Sequence, residues 1–175
     1  KLPKTITHQQ RLVGCGQLLD TFLTQVSGLG EKLGCLLLQL PPSLTFDEAA
    51  ASKFLDPLRQ RHGGPVALEP RHPSWFDAPA DALLARWRVA RVLADPVRCD
   101  AGRWPGGDPS FVYLRLHGSP RVYYSAYEPG VLDALVARLQ LASASDACVW
   151  CIFDNTASGA ATGDALRTLH GLALG

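Results

Sequence analysis

The run Gly34-Cys35-Leu36-Leu37-Leu38-Gln39-Leu40-Pro41-Pro42 is strand-length, apolar on both of its faces, and stopped by two prolines. Successive side chains of an extended segment point to opposite faces, so this one needs cover on both. Strands buried on both faces belong to parallel sheets flanked by helices. The neighbouring segments supply those helices. Upstream, Leu12, Cys15, Leu18, Leu19, Phe22, Leu23 and Val26 recur at helical spacing across residues 11–29, which end at Gly28 and Gly30. Downstream, a helix is predicted from about Asp47 to Gln60, with Thr45 or Asp47 as N-cap.

The same switch of period repeats to the end of the chain. Val66-Ala67-Leu68-Glu69-Pro70-Arg71 reads as a strand after the turn signal Gly63-Gly64-Pro65. Pro79 to Arg86 reads as helix, Val89–Ala94 as strand, and Asp95–Pro109 as a polar loop rich in Gly and Pro. Phe111–His117 is a strand closed by Gly118. Residues 130–142 form a helix with Val131, Leu132, Leu135, Val136 and Leu139 on its stripe. Cys148–Phe153 is the last strand and about Gly159–Leu174 the last helix. Strands alternating with helices, with no dividing linker or repeat, predict one α/β domain with a parallel sheet. A doubly wound sheet and a barrel both satisfy that alternation. No G-x-G-x-x-G turn follows the first strand, which speaks against the nucleotide-binding open sheet.

Bulk properties narrow the class. The 175 residues are 47% hydrophobic and 19% charged, which fits a globular domain rather than a disordered chain. A formal net charge of +1 gives no strong nucleic-acid or membrane-surface signal. The longest apolar runs fall far short of the ~20 residues of a membrane helix. The N-terminus shows no signal-peptide core and no initiator Met, so a start inside a larger domain is one expectation. The five cysteines are scattered among apolar neighbours, as reduced thiols of a cytoplasmic protein would be. Cys148-Val149-Trp150-Cys151 has CxxC spacing, but it lies in a strand, where residues three apart face opposite ways. No second pair exists to complete a zinc site, so a structural role is the better reading.

Charged residues of the strands gather at one end. Glu69, Arg71 and His72 close one strand, Asp95 the next, Arg115 and His117 the one after, and Asp154-Asn155 the last. Ligands of parallel α/β folds bind at the carboxyl ends of strands. Alternation puts Glu69 with Arg71 on one face and Tyr113 with Arg115 and His117, while Leu114 and Leu116 face the helices. A buried charge must be paired or functional. Two readings follow: a substrate pocket, or a salt-bridge network such as Glu69 with Arg115 that fills the strand ends. The pocket is preferred, because Arg, His and carboxylate together exceed what packing needs.

Glu69, His72, Asp95, His117 and Asp154 could supply a two-His, carboxylate metal set. Arg71 and Arg115 in the same place would repel a cation and suit a phosphate or carboxylate held bidentately. Anion binding is therefore preferred to metal, and no metal ligand or cofactor is assigned. Asn155–Ala160 leads into the last helix, whose first N–H groups could hold a phosphate; capping by Thr156 or Ser158 explains the same residues. Trp75, Phe76, Trp104, Tyr123, Tyr124 and Tyr127 follow strand ends, either as a stacking rim or, preferably, as loop anchors. His62 and His170 read as structural, and His8 as a weaker site candidate.

Four ordered motifs then carry a resemblance. Gly34-x-x-Leu37-Leu38-Gln39-Leu40-Pro41-Pro42, Glu69-Pro70-Arg71-His72-Pro73-Ser74-Trp75, Tyr113-Leu114-Arg115-Leu116-His117-Gly118 and Phe153-Asp154-Asn155 resemble the YecE-like family, domain of unknown function 72. The resemblance covers essentially the whole chain. It implies a TIM-type (β/α) barrel, incomplete at its N-terminus, in bacterial or archaeal cytoplasmic proteins without an established activity. About five strands and their helices would be present. Lys1–His8 would correspond to the end of the family's third strand. Two departures stand out: Pro70 replaces an apolar or aromatic residue, and Asp154 and Asp164 replace Asn. Asp154 adds negative charge, which weakens the anion argument and helps the metal reading somewhat. Missing strands would leave parallel edges exposed, so self-association into a homo-oligomer is a further expectation.

The expected function is acid–base chemistry, of hydrolase, lyase or isomerase type, on a phosphate- or carboxylate-bearing small molecule. Glu69, His117 and His72 are the catalytic candidates. Arg71, Arg115, Asp154, Asn155 and Trp75 are the substrate-binding ones. A non-catalytic binding or interaction domain, and a metal-dependent hydrolase or nuclease, are the alternatives.

Overall fold

The computed structural model describes residues 1–174. Its elements alternate as the periodicity predicts. Helix α1 (Gly16–Ser27), strand β1 (Leu36–Gln39), α2 (Glu48–Arg61), β2 (Val66–Glu69), α3 (Ala78–Arg86) and β3 (Val89–Arg91) come first. Then follow β4 (Leu93–Asp95), β5 (Gly106–Gly107), β6 (Phe111–Leu116), α4 (Pro129–Ser143), β7 (Cys148–Phe153) and α5 (Ala160–Ala173). Contacts gather the chain into two compact units. One is Lys1–Val92 with Pro105–Asp108; the other is Leu93–Trp104 with the chain from Pro109 onward.

The first unit is built on the sheet β1-β2-β3-β5. β1, β2 and β3 run parallel, with Leu38 opposite Leu68 and Gln39 opposite Glu69. Leu36, Leu38, Val66, Ala67, Leu68 and Val89 are all at most 1% exposed, the two-sided cover that the opening run demands. Helix α2 lays Ala51, Phe54, Leu55 and Leu58 inward at helical spacing, and the Asp47 side chain caps it by accepting from Ala50 N at 2.9 Å. Its far end is stapled by Arg59, whose guanidinium donates to the carbonyls of Trp87 (2.7 Å), Gly64 (2.6 Å), His62 and Arg88. Burial, then the charge of Arg88, lowers the pKa of Arg59.

The second unit is the all-parallel sheet β4-β6-β7. Val112, Leu114 and Leu116 of β6 pack with Leu132, Leu135 and Leu139 of α4, and Val149, Cys151 and Phe153 of β7 join them. The opposite set of side chains includes Tyr113 and Trp150, which are register partners and stack at 6.3 Å. Alternation thus sorts the faces as read from sequence. Cys148 is exposed and Cys151 partly buried, both as free thiols, and burial pushes the Cys151 thiol up to about 11.

Four expectations are corrected. The run Val89–Ala94 is not one strand: its first half pairs with β2, its last residues pair with β6, and Val92 falls between the ladders. The loop to Pro109 contains a 3-10 turn, Asp100–Arg103, and the strand β5, antiparallel to β3. Glycine makes β5 feasible, because Gly107 has φ +71 and a Cβ there would lie 2.2 Å from the Val89 carbonyl oxygen. At the N-terminus, strand-like pairing is confined to Leu2 N donating to Leu37 O. Thr5–Gln9 coils into a π-type turn that buries Ile6 and Thr7. Finally, the described residues form seven strands in two sheets where about five strands were anticipated.

Candidate functional site

In the first unit the site begins with strand register. Gln39 and Glu69 end β1 and β2 as direct partners, so their side chains project side by side. Glu69 is 2% exposed, and its Oε1 accepts from Gln39 Nε2 at 2.9 Å. Arg71 Nη2 and Nε donate to the same oxygen at 3.0 and 3.2 Å. The Gln39 carbonyl faces Lys1 Nζ at 3.3 Å, so one amide relays between a cation and a carboxylate. Pro70 lies one residue beyond β2, where its missing N–H costs the ladder nothing.

The residues that follow turn away into the loop. His72 Nδ1 meets Ser74 Oγ at 2.9 Å and accepts from Ser74 N at 3.3 Å, capping the turn Pro73–Phe76. Trp75 is 2% exposed, donates its indole N–H to Leu44 O at 2.9 Å and packs edge-on against Phe46. It anchors a loop. His8 bonds Thr7 Oγ1 through Nδ1 at 2.8 Å. Its pKa is lowered by burial first and then by the charges of Lys4, Arg71 and Lys1.

The second unit holds the other group. Arg115 lies near the end of β6, and His117 follows it two residues on; Asp154 follows β7 directly. Asp154 Oδ2 accepts from Arg115 Nη2 at 2.7 Å and from His117 Nδ1 at 3.0 Å. His117 is 3% exposed. The ring of Tyr123 meets it edge-on at 5.5 Å, from a backbone with φ +71. A tyrosine held in the left-handed region is strained, and the loop over-determines it: Tyr123 O accepts from Ala157 N, and Tyr124 O accepts from Ser158 Oγ.

Asn155 is fully buried, and its Nδ2 donates to Ser125 O at 2.9 Å and to Asp164 Oδ2 at 2.7 Å. Tyr127 completes this frame. Its hydroxyl donates to Asp95 Oδ2 at 2.7 Å and accepts from Gly118 N at 2.8 Å, while its own N–H donates to Asp164. Burial, then the hydrogen bond to Asp95, raises its pKa strongly. At the start of α5 neither Thr156 nor Ser158 caps, contrary to expectation. Gly159 occupies the cap position in the left-handed region, and Ser158 has turned to the Tyr124 carbonyl.

The structure therefore brings Glu69 to Arg71, and both Arg115 and His117 to Asp154. It engages His72, Trp75 and Asn155 in holding loops. Sequence reasoning gave no role to Gln39, although a lone amide ending an otherwise apolar strand was visible. It preferred Tyr127 as a loop anchor and noted Asp164 as a replacement for Asn, but it did not join the two, because such a pairing carries no local signal.

The comparisons agree with this architecture. A family model described as "Protein of unknown function DUF72" matches residues 1–174. The chain is 39% identical over 77 residues to a UPF0759 protein YecE of Escherichia coli K12, and equally to that of strain O157:H7. That stretch covers 43% of this chain but only 28% of the Escherichia coli protein. A DUF72 family protein from Thermotoga maritima has a similar structure, with a TM-score of 0.79 at 23% identity, over 98% of this chain and 72% of that one. One from Enterococcus faecalis has a TM-score of 0.74 at 19% identity, over 93% and 68%. At those identities the likeness speaks for the fold alone. With a match running through all its elements, this chain belongs to the DUF72 family.

Proposed function

We propose that this chain contributes a strand-end site for acid–base chemistry on an anionic small molecule bearing a phosphate or carboxylate. One observation carries the proposal: Arg115 and His117 both clasp a single oxygen of Asp154. A carboxylate only accepts, so the His117 proton in that bond sits on Nδ1. In a neutral ring Nε2 then carries the lone pair, the tautomer a general base requires. In this reading His117 moves the proton, Asp154 fixes its orientation, and Arg115 supplies the positive charge that meets the anion. In the first unit, Glu69, oriented by Gln39 and paired with Arg71, is a separate acid–base group, and His72 holds the turn that follows it. Asn155 and Trp75 support the loops rather than touch substrate.

Inorganic phosphate titrated into the chain and followed by NMR tests the anion site. Saturable shifts are expected, and Arg115→Gln weakens them about tenfold, the loss of one charge-assisted bond. Affinity unchanged by Arg115→Gln refutes the reading. A binding domain without catalysis is the second reading, favoured because each arginine is already met by a carboxylate. Turnover of a phosphorylated or carboxylated substrate that His117→Gln abolishes would exclude it. Among the described residues no group of three His, Cys, Asp or Glu stands ready to hold a metal ion, so nothing in the geometry favours the metal-dependent hydrolase.

An incomplete (β/α) barrel is the architecture that goes with this proposal, supported by the α-helices that follow the parallel strands β1, β2, β6 and β7. A cytoplasmic place belongs to it as well. Among the described residues no helix is long and apolar enough to cross a membrane.

A further inference from the structure

The second unit contains a cavity of about 390 Å³ that the strand-end site does not use. It lies between the helix-facing side of β4 and β6 and the stripe of α4, with Leu93, Leu114 and Leu116 on one wall and Leu132 and Leu135 on the other. In a parallel α/β fold a long helix would ordinarily follow β4 and cover such a surface. Here the connection from β4 contains only the 3-10 turn Asp100–Arg103. The volume falls at the lower end of the roughly 300–1,000 Å³ typical of small-molecule pockets.

The mouth is built differently from the walls. Trp104 is 67% exposed and Val131 51% exposed, two large apolar side chains in water beside the opening. The Arg138 guanidinium lies over the Trp104 ring at 5.4 Å and spends one donor on Arg103 O at 2.8 Å. An arginine has five N–H donors, so a fork remains for a carboxylate, and stacking on an indole keeps that fork in place. The acidic member of the lining, Asp95, accepts from the Tyr127 hydroxyl. Its charge puts an anionic head at the Arg138 end and away from its own.

We propose that this cavity is a second binding site, for a small amphipathic carboxylate whose aliphatic chain enters between the sheet and α4 and whose head pairs with Arg138. Leucine walls without a hydrogen-bonding group demand an apolar chain, and the volume limits that chain to a short or medium one. The site is independent of the proton chemistry at His117, and each stands if the other fails.

Octanoate and octan-1-ol, titrated calorimetrically into the 175-residue chain, test it. Octanoate is expected to bind one-to-one with a Kd below about 1 mM. Arg138→Gln weakens it about tenfold and leaves octan-1-ol within about twofold, because the chain contacts remain. Val131→Trp, at an exposed helical position, plugs the mouth and abolishes both while the far-UV circular dichroism is unchanged. Absence of saturable octanoate binding overturns the proposal. So does equal weakening of acid and alcohol by Arg138→Gln, or binding that survives Val131→Trp.

Discussion

Tyr127 shows how much a single side chain can hold. Its hydroxyl joins Asp95 to Gly118, and its backbone joins Asp164, so one residue ties the ends of β4 and β6 to α5. Tyr127→Phe leaves the buried Gly118 N–H and the partly buried Asp95 carboxylate without their partner, and is expected to cost about 1–3 kcal/mol in denaturant unfolding. The sign of its pH dependence follows from its raised pKa. An unfolded tyrosine ionises near 10.0, whereas the folded one keeps its proton to higher pH. The stabilisation is complete below pH 10 and declines as pH rises beyond it, since the unfolded state then binds fewer protons. The stability gap between wild type and Tyr127→Phe should therefore narrow above pH 10; a constant gap would refute the latch. The sequence offered Tyr127 as a loop anchor, one aromatic among several after β6, but not the partners it holds. By contrast Glu69, Arg115 and Asp154 were found because charges ending apolar strands are conspicuous, although their pairings depend on geometry that no spacing encodes.

Elements whose apolar periodicity is long were read closely from sequence. Helix α4 was anticipated at residues 130–142 and spans Pro129–Ser143, and β7 was placed at the residues it occupies. Propensity failed where tertiary contact decides. Two consecutive glycines argue against a strand, yet Gly106 and Gly107 pair with Arg91 and Ala90 because nothing larger fits. Gly107→Ala should lower stability by well over 1 kcal/mol, through positive φ and collision with the Val89 carbonyl together. An unchanged melting curve would show that β5 contributes nothing to its sheet. The run after Arg88 was misjudged for a related reason: a single apolar stretch says nothing of which neighbour each half will pair with.

At the scale of the molecule, near-neutrality is the governing property. With a sequence pI of about 7.8 and a formal net charge of +1, little long-range repulsion keeps copies of the chain apart. β7 ends its sheet, and its six residues contain no charge and no proline. Concentration-dependent self-association is expected near pH 7.8 and should diminish at pH 5.5, well below the pI, where the net positive charge is larger; sedimentation velocity at both values checks it. A monomer at high concentration and pH 7.8 would rule it out. The path of the chain adds a constraint of its own. It leaves the first unit after Val92, returns for Pro105–Asp108, and departs again at Pro109. No single cleavage of the backbone separates the two units whole. Ending the chain at Val92 removes β5 from the ladder of β3, and ending it at Asp108 strands β4 without β6. The two units are thus inseparable as genetic modules, and a shuffled or truncated gene must carry both or lose a strand from one.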